Sequence, residues 1–266
     1  MATAETVARP RAWAIVAAQE LRDLWLGGRG LLLSLAFSGL LSVLSYLVAT
    51  NQALNFLEQR ESVNLTLQVA IAVGALLALL AGADAISGER ERGSLESLLL
   101  SPVSRLQLTA GKLLAALSLW VAALVLTIPY VWFLGRGVGI VGDALATGAL
   151  VGTLLALFLV SLGVLVSIFS GSNRVSLSVS LFVLLALFAP TQFPTSAQQG
   201  WAGDLFLRAN PLTSGEHYVG KIVVDGHSWS QDASWLASPI IAAALFAALA
   251  AVAGGRFMRL SGEVSR

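Results

Sequence analysis

Six apolar runs, each long enough to cross a bilayer as a helix, divide this chain: approximately Gly30 to Ala49, Val63 to Ala83, Leu106 to Leu134, Ala144 to Phe169, Val175 to Phe193 and Leu236 to Gly254. A hydrocarbon core of roughly 30 Å takes about 20 helical residues to span. The 266 residues are 56% hydrophobic and 12% charged, well beyond what a soluble domain carries, and the runs leave no room for a water-soluble catalytic domain. The expectation is an all-α integral membrane protein in which residues 1–266 form a single six-span domain. The fifth run is short before Pro190 and Pro194, as suits a tilted helix or one broken near the membrane surface.

Lys and Arg collect on cytoplasmic flanks. With the N-terminus inside, twelve of them (Arg9, Arg11, Arg22, Arg29, Arg90, Arg92, Arg105, Lys112, Arg174, Arg256, Arg259 and Arg266) lie on the cytoplasmic side. Four (Arg60, Arg136, Arg208 and Lys221) lie outside. This bias, and an even number of spans, place both termini in the cytoplasm. The first run lacks a small-residue cleavage pattern behind a short apolar core, so it reads as retained. A net charge of +1 gives no reason to propose nucleic acid as a ligand. The absence of cysteine excludes disulfides, thiolate metal sites and a cysteine nucleophile.

Within residues 1–29, Trp13, Val16, Ala17, Leu21, Leu24 and Trp25 recur at three- and four-residue spacing, while Gln19, Glu20, Arg22 and Asp23 fill the other side. This is an amphipathic helix suited to the membrane surface, its tryptophans favouring the interfacial layer and Gly27-Gly28 giving a bend before the first span. An anchor and a force-transmitting element fit this pattern equally.

Between spans two and three, residues 84–105 mix charges with Ile86, Leu95, Leu98, Leu99 and Leu100, break at Pro102, and restart with a Ser104/Gln107 capping box. That order predicts a short helix lying across the membrane face, then a sharp turn into the bilayer. Glu89 with Arg92, and Arg92 with Glu96, stand at helical pairing distance, but such exposed pairs add only a few tenths of a kcal/mol. The positive-inside bias does not ask for Glu89, Glu91 and Glu96 among the arginines, so the cluster reads as a docking element rather than an ordinary solvated loop.

The run Gly88-Glu89-Arg90-Glu91-Arg92-Gly93-Ser94-Leu95-Glu96, with Leu98-Leu99, Pro102, Ser104-Arg105 and Gly111-Lys112, resembles the signature loop of type-2 ABC exporter permeases. These are six-span subunits that pair with a separate ATP-hydrolysing chain; the nitrous-oxide-reductase maturation and drug-exporting permeases are similar branches. Pro190, Pro194, Trp201 and Asn210-Pro211-Leu212-Thr213 are similar to the outer segment before the last span in such proteins. The resemblance implies a plasma-membrane homodimer or close heterodimer served by two ATPase copies. Glu89, Arg90, Glu91, Arg92, Gly93, Glu96, Pro102 and Arg105 would form the coupling helix, and the interfacial helix with Trp13, Leu21, Arg22, Asp23 and Trp25 would move with it. No cofactor is expected in this chain, and ATP and magnesium belong to the partner. Gly111-Lys112 and Gly220-Lys221 are followed by Leu113 and Ile222, so neither is a phosphate loop. Leu260-Ser261-Gly262-Glu263 is discounted as an ABC signature.

Residues 194–235 are expected as the largest non-membrane segment, a lid or contact surface outside the membrane. His217 and His227 within it lack metal-ligand spacing and read as surface histidines. With Met1 and Met258 as the two methionines, a soft-ligand copper path has no support either. Asp84 and Lys112, near span ends, are expected to snorkel to the interface. Gly148, Gly152, Ser161 and Gly163, and Ser176, Ser178 and Ser180, suit either a path or a dimer seam.

The leading functional expectation is the membrane subunit of an ATP-driven exporter of an unidentified substrate, the uncharged interior favouring a lipid-like or amphipathic cargo over a highly charged one. An alternative is a membrane subunit that transmits force to an extracytoplasmic partner without moving a cargo. An intramembrane enzyme or ATP-independent carrier is disfavoured, because the spans lack paired carboxylates, clustered histidines and a nucleophile–base set.

Overall fold

A computed structural model describes residues 12–50, 56–95, 103–192 and 201–257. Every regular element among them is helical: α1 (Ala12–Leu26), α2 (Arg29–Thr50), α3 (Phe56–Arg92), α4 (Arg105–Gly135), α5 (Val141–Phe169), α6 (Asn173–Phe188), α7 (Trp201–Ala209), α8 (Pro211–Val223) and α9 (Ala237–Phe257). Two short 3-10 turns, Ala189–Gln192 and Ala233–Leu236, complete them.

Five helical stretches are long and apolar enough to cross a membrane: Arg29–Thr50, Gln59–Arg92, Arg105–Gly135, Val141–Phe169 and Ala233–Arg256. The expected fifth span is shorter than the sequence suggested. Ser172 caps α6 at its start, accepting from the Val175 amide at 3.4 Å, and the helix ends at Phe188 before the turn containing Pro190. Its 16 residues rise about 24 Å, less than a full hydrocarbon core.

Helix α5 is the hub, packed against α3, α4, α8 and α9. Its Gly148, Gly152 and Gly163 face inward. A β-carbon on Gly163 would lie 2.5 Å from the Leu79 carbonyl oxygen, and one on Gly82 would lie 2.6 Å from that of Val160. α3 and α5 therefore cross backbone to backbone, as small residues permit in membranes. Trp120 of α4 is slotted between Gly74 and Gly152 and donates its indole N–H to Thr153 at 3.0 Å. The glycines offered to a path or a dimer seam thus pack inside this chain. Ser176 and Ser180 are buried as well, while Ser178 faces out.

Residues 201–236 do not form an open loop. Asn210 caps α8, accepting from the Leu212 amide at 2.9 Å and donating to the Leu187 carbonyl at 2.7 Å, with Pro211 at the first turn where its missing N–H costs nothing. α8 buries Leu212, Tyr218, Val219, Ile222 and Val223. Ser214 bonds the Trp235 carbonyl at 2.5 Å and Tyr218 that of Trp229 at 2.9 Å. The expected lid is a packed helix with the shorter α7 leading into it, and the Asn-Pro-Leu-Thr motif is its cap.

Candidate coupling site: a buried ion cluster at the end of a long helix

Helix α3 has 37 residues and so rises about 55 Å, well over the span of a bilayer. The segment expected as a separate short helix from Asp84 is therefore the last turns of α3. It stops at Gly93, whose φ of 73° is open to glycine and strained for other residues. The Gly93 amide donates to the Arg90 carbonyl at 3.2 Å and the Ser94 amide to that of Glu89 at 3.1 Å, the paired bonds of a Schellman stop. Glu96 and Pro102, with the rest of the predicted segment from 96 to 102, lie outside the described residues. Beyond them the Ser104/Gln107 capping box forms with both of its bonds, at 3.2 and 3.3 Å, and Arg105 opens α4 with an exposed side chain.

The charges at this end of α3 have different jobs. Glu91 points to solvent. Arg92 is 44% exposed and bridges Glu89 at 3.3 Å, the expected pair, and Asp84 at 3.8 Å. Arg90 turns inward and donates to the carbonyls of Ser170 and, at 3.2 Å, Ile168. Those carbonyls lie at the C-terminal end of α5, where unpaired oxygens and the helix dipole favour a cation. Glu89, 17% exposed, accepts from Ser94 and reaches Lys112 at 3.5 Å.

Lys112 is the centre of the site and not the snorkelling residue the sequence suggested. It is 2% exposed, with its ammonium 2.6 Å from Glu20 of α1 and 3.5 Å from Glu89 of α3. A buried cation is tolerated when it is paired and hydrogen-bonded. Burial follows from Gly111 beside it, where a β-carbon would lie 2.6 Å from Val16, so α1 lies directly on α4. The sequence pattern places Glu20 on the polar side of α1, yet positions 16, 17, 20 and 24 form one i, i+3, i+4 stripe. Its place on that stripe is the signal that identifies it.

α1 is thus less interfacial than expected. Trp13 is exposed, but Trp25 bonds Ser118 of α4 at 3.0 Å and Ala17 is buried. Leu21 is half-buried, and Arg22 and Asp23 are exposed. The bend before the first span occurs as predicted, with Gly28 at φ 82°. Asp84 is also engaged, by Asn173 of α6 at 2.7 Å and Arg29 at 3.7 Å. One turn away, Ser167 of α5 accepts from the Ile86 and Ser87 amides at 3.0 and 2.8 Å, and Ser176 of α6 donates to the Ala83 carbonyl at 2.7 Å. Side chains from two neighbours therefore engage the backbone of α3 just ahead of its charged end.

Both histidines are exposed, as the sequence suggested, and each has a neighbour. His217 stacks 3.9 Å from Trp235, and His227 meets Asp232 at 2.7 Å.

Several long apolar helices around a glycine-lined crossing, with a charged end fastened by a buried lysine, define a multi-pass membrane protein. The family model for ABC-2 family transporter protein matches residues 14–259. The chain belongs to that family and is a type-2 ABC permease; comparison with curated proteins finds no match.

Proposed function

We propose that this chain is the membrane subunit of an ATP-driven exporter in the plasma membrane, with ATP and magnesium handled by a separate ATPase. α6 would be the sixth span, tilting little or locally thinning the bilayer because of its length, and both termini would be cytoplasmic. Two copies would pair, each served by one ATPase. The observation that carries this reading is the Glu20–Lys112–Glu89 cluster, which fastens α1 and α4 to the end of the α3 lever. Force applied at the Gly93–Arg105 connection would then reach α1, α3 and α4 as one body. Glu91, Arg92 and Arg105, which face solvent, together with Glu96, are the residues available to dock the ATPase. Glu89 and Arg90 hold the docking segment in place.

The test is co-purification of the tagged chain from its native membranes in mild detergent, comparing Glu91→Lys with the parent. Recovery of an ABC ATPase that falls about tenfold in a well-folded Glu91→Lys protein, the scale of one charge pair at an interface, supports docking at this end. Recovery of no ATPase with the folded parent would sink the assignment.

A further inference from the structure

A cavity of about 450 Å³ opens between α1, α2, α3 and α4 at the Lys112 end. Its floor is apolar, formed by Leu33, Leu77, Leu80 and Leu119, and its rim is charged. The rim is not self-satisfied. Lys112 is held by Glu20 and Glu89, and Arg92 by Glu89 and Asp84. Arg29 reaches Asp84 only at 3.7 Å and stays 68% exposed. Asp23, on the same rim, has no hydrogen-bond or ion-pair partner for its carboxylate among the described residues. An exposed guanidinium and an unpaired carboxylate therefore stand over a hydrocarbon floor, with one carboxylate more than the cations around the cavity.

The seam between α2 and α3 opens a second time further along, into an almost wholly apolar groove of about 410 Å³ bordered by Gly39, Leu40, Val43, Leu44, Leu47 and Val69. The reason is visible in how α2 is held. Its polar ties run to α4, where the Tyr130 hydroxyl meets Ser38 at 2.9 Å and Ser42 at 2.8 Å, so the side facing α3 is left unzipped. Gly39 and Leu40 lie about 16 Å up α2 from Arg29, one leaflet's share of a roughly 30 Å core. Val69 and Leu80 stand a matching distance apart on α3, which runs the other way.

We infer that this seam binds one zwitterionic phospholipid with a primary ammonium head: its ammonium on Asp23, its phosphate on Arg29, its glycerol over Leu33 and Leu80, and an acyl chain along the α2–α3 groove. The surplus carboxylate disfavours an anionic lipid. The apolar continuation at acyl depth favours a lipid over a soluble phosphate–ammonium compound. This goes beyond the proposed function and does not depend on the ATPase, so failure of either leaves the other standing.

Native mass spectrometry of the full chain in non-ionic detergent reads the site directly, with phosphatidylethanolamine, phosphatidylglycerol and glycerophosphoethanolamine as probes. Phosphatidylethanolamine should be retained in preference to phosphatidylglycerol, with the soluble head compound binding far more weakly. Asp23→Asn and Arg29→Gln should each lower retention roughly three- to tenfold, the scale of losing one charge-assisted hydrogen bond on an accessible site. Gly39→Trp should do the same by filling the groove; a β-carbon there meets nothing within 4 Å, so the fold should survive. Asp204→Asn, on α7, should change nothing. Equal retention of the two lipids, or indifference to all three seam variants, would overturn the proposal. So would equal binding of the soluble head compound, or a lipid-free dimer that Gly39→Trp splits, which would assign the groove to a second copy of this chain.

Discussion

The ammonium of Lys112 lies 2.6 Å from the carboxylate of Glu20, ninety-two positions earlier in the chain, and the lysine side chain is 2% exposed. That one contact joins the first helix to the fourth, and Glu89, 3.5 Å away on the other side, brings in the third.

Removing the cation should be costly because it strands two carboxylates. Lys112→Met is expected to destabilise the protein by on the order of 2 kcal/mol, less than a fully buried pair loses because Glu20 and Glu89 keep some solvent contact. Thermal unfolding in detergent should show a fall of several degrees, partly restored in Lys112→Met with Glu20→Gln. No rescue in the double variant would mean the pair is not coupled.

Arg90 and Glu91 are neighbours with opposite orientation, and their variants should separate stability from docking. Arg90→Gln loses two bonds to the end of α5 and should lower the unfolding temperature, at about 1–3 kcal/mol. Glu91→Lys should leave that temperature within a degree or two while reducing ATPase recovery. The opposite pattern would place the docking surface on Arg90.

The α3–α5 crossing should tolerate no side chain. Gly163→Ala puts a β-carbon 2.5 Å from a carbonyl oxygen, so the helices must separate. A loss of about 1–3 kcal/mol is expected from such overpacking, whereas Gly142→Ala, where nothing lies within 4 Å, should be close to neutral. Equal unfolding temperatures for the two variants would refute the crossing.

Glu216 gives a pH dependence. It lines a cavity of about 360 Å³ with Gln68, His217, Lys221 and Asp225, and burial pushes its carboxyl up to about 7 from an ordinary 4.5. The folded state therefore holds this proton to higher pH than the unfolded chain does. Stability from this group is full below about 4.5, declines as pH rises towards 7, and is lost above it. Glu216→Gln should unfold at a higher temperature than the parent at pH 8 and at nearly the same temperature at pH 5. An equal difference at both values would show that Glu216 does not titrate in this window.

Much of this protein is written locally. The five long spans, the Ser104/Gln107 cap, the Gly27-Gly28 bend and the Glu89–Arg92 pair depend on neighbours within a few turns, so apolar length, cap chemistry and i, i+3 spacing suffice to find them. The end of the fifth run is less local, since Val175 to Phe193 is one apolar stretch while the α-helix stops at Phe188.

What no local pattern contains is which face of a helix meets which neighbour. Glu20 and Lys112 each look like an interfacial charge until Gly111 lets α1 close onto α4, burying the lysine and half-burying the glutamate. Only then is their mutual attraction strong enough to offset desolvation. The glycines of α5 likewise announce close packing, but three surfaces could have used it. The sequence by itself determined the spans and the breaks between them; the tertiary structure decided which charges are buried partners and which remain free to meet another chain, because burial is a property of the packed whole.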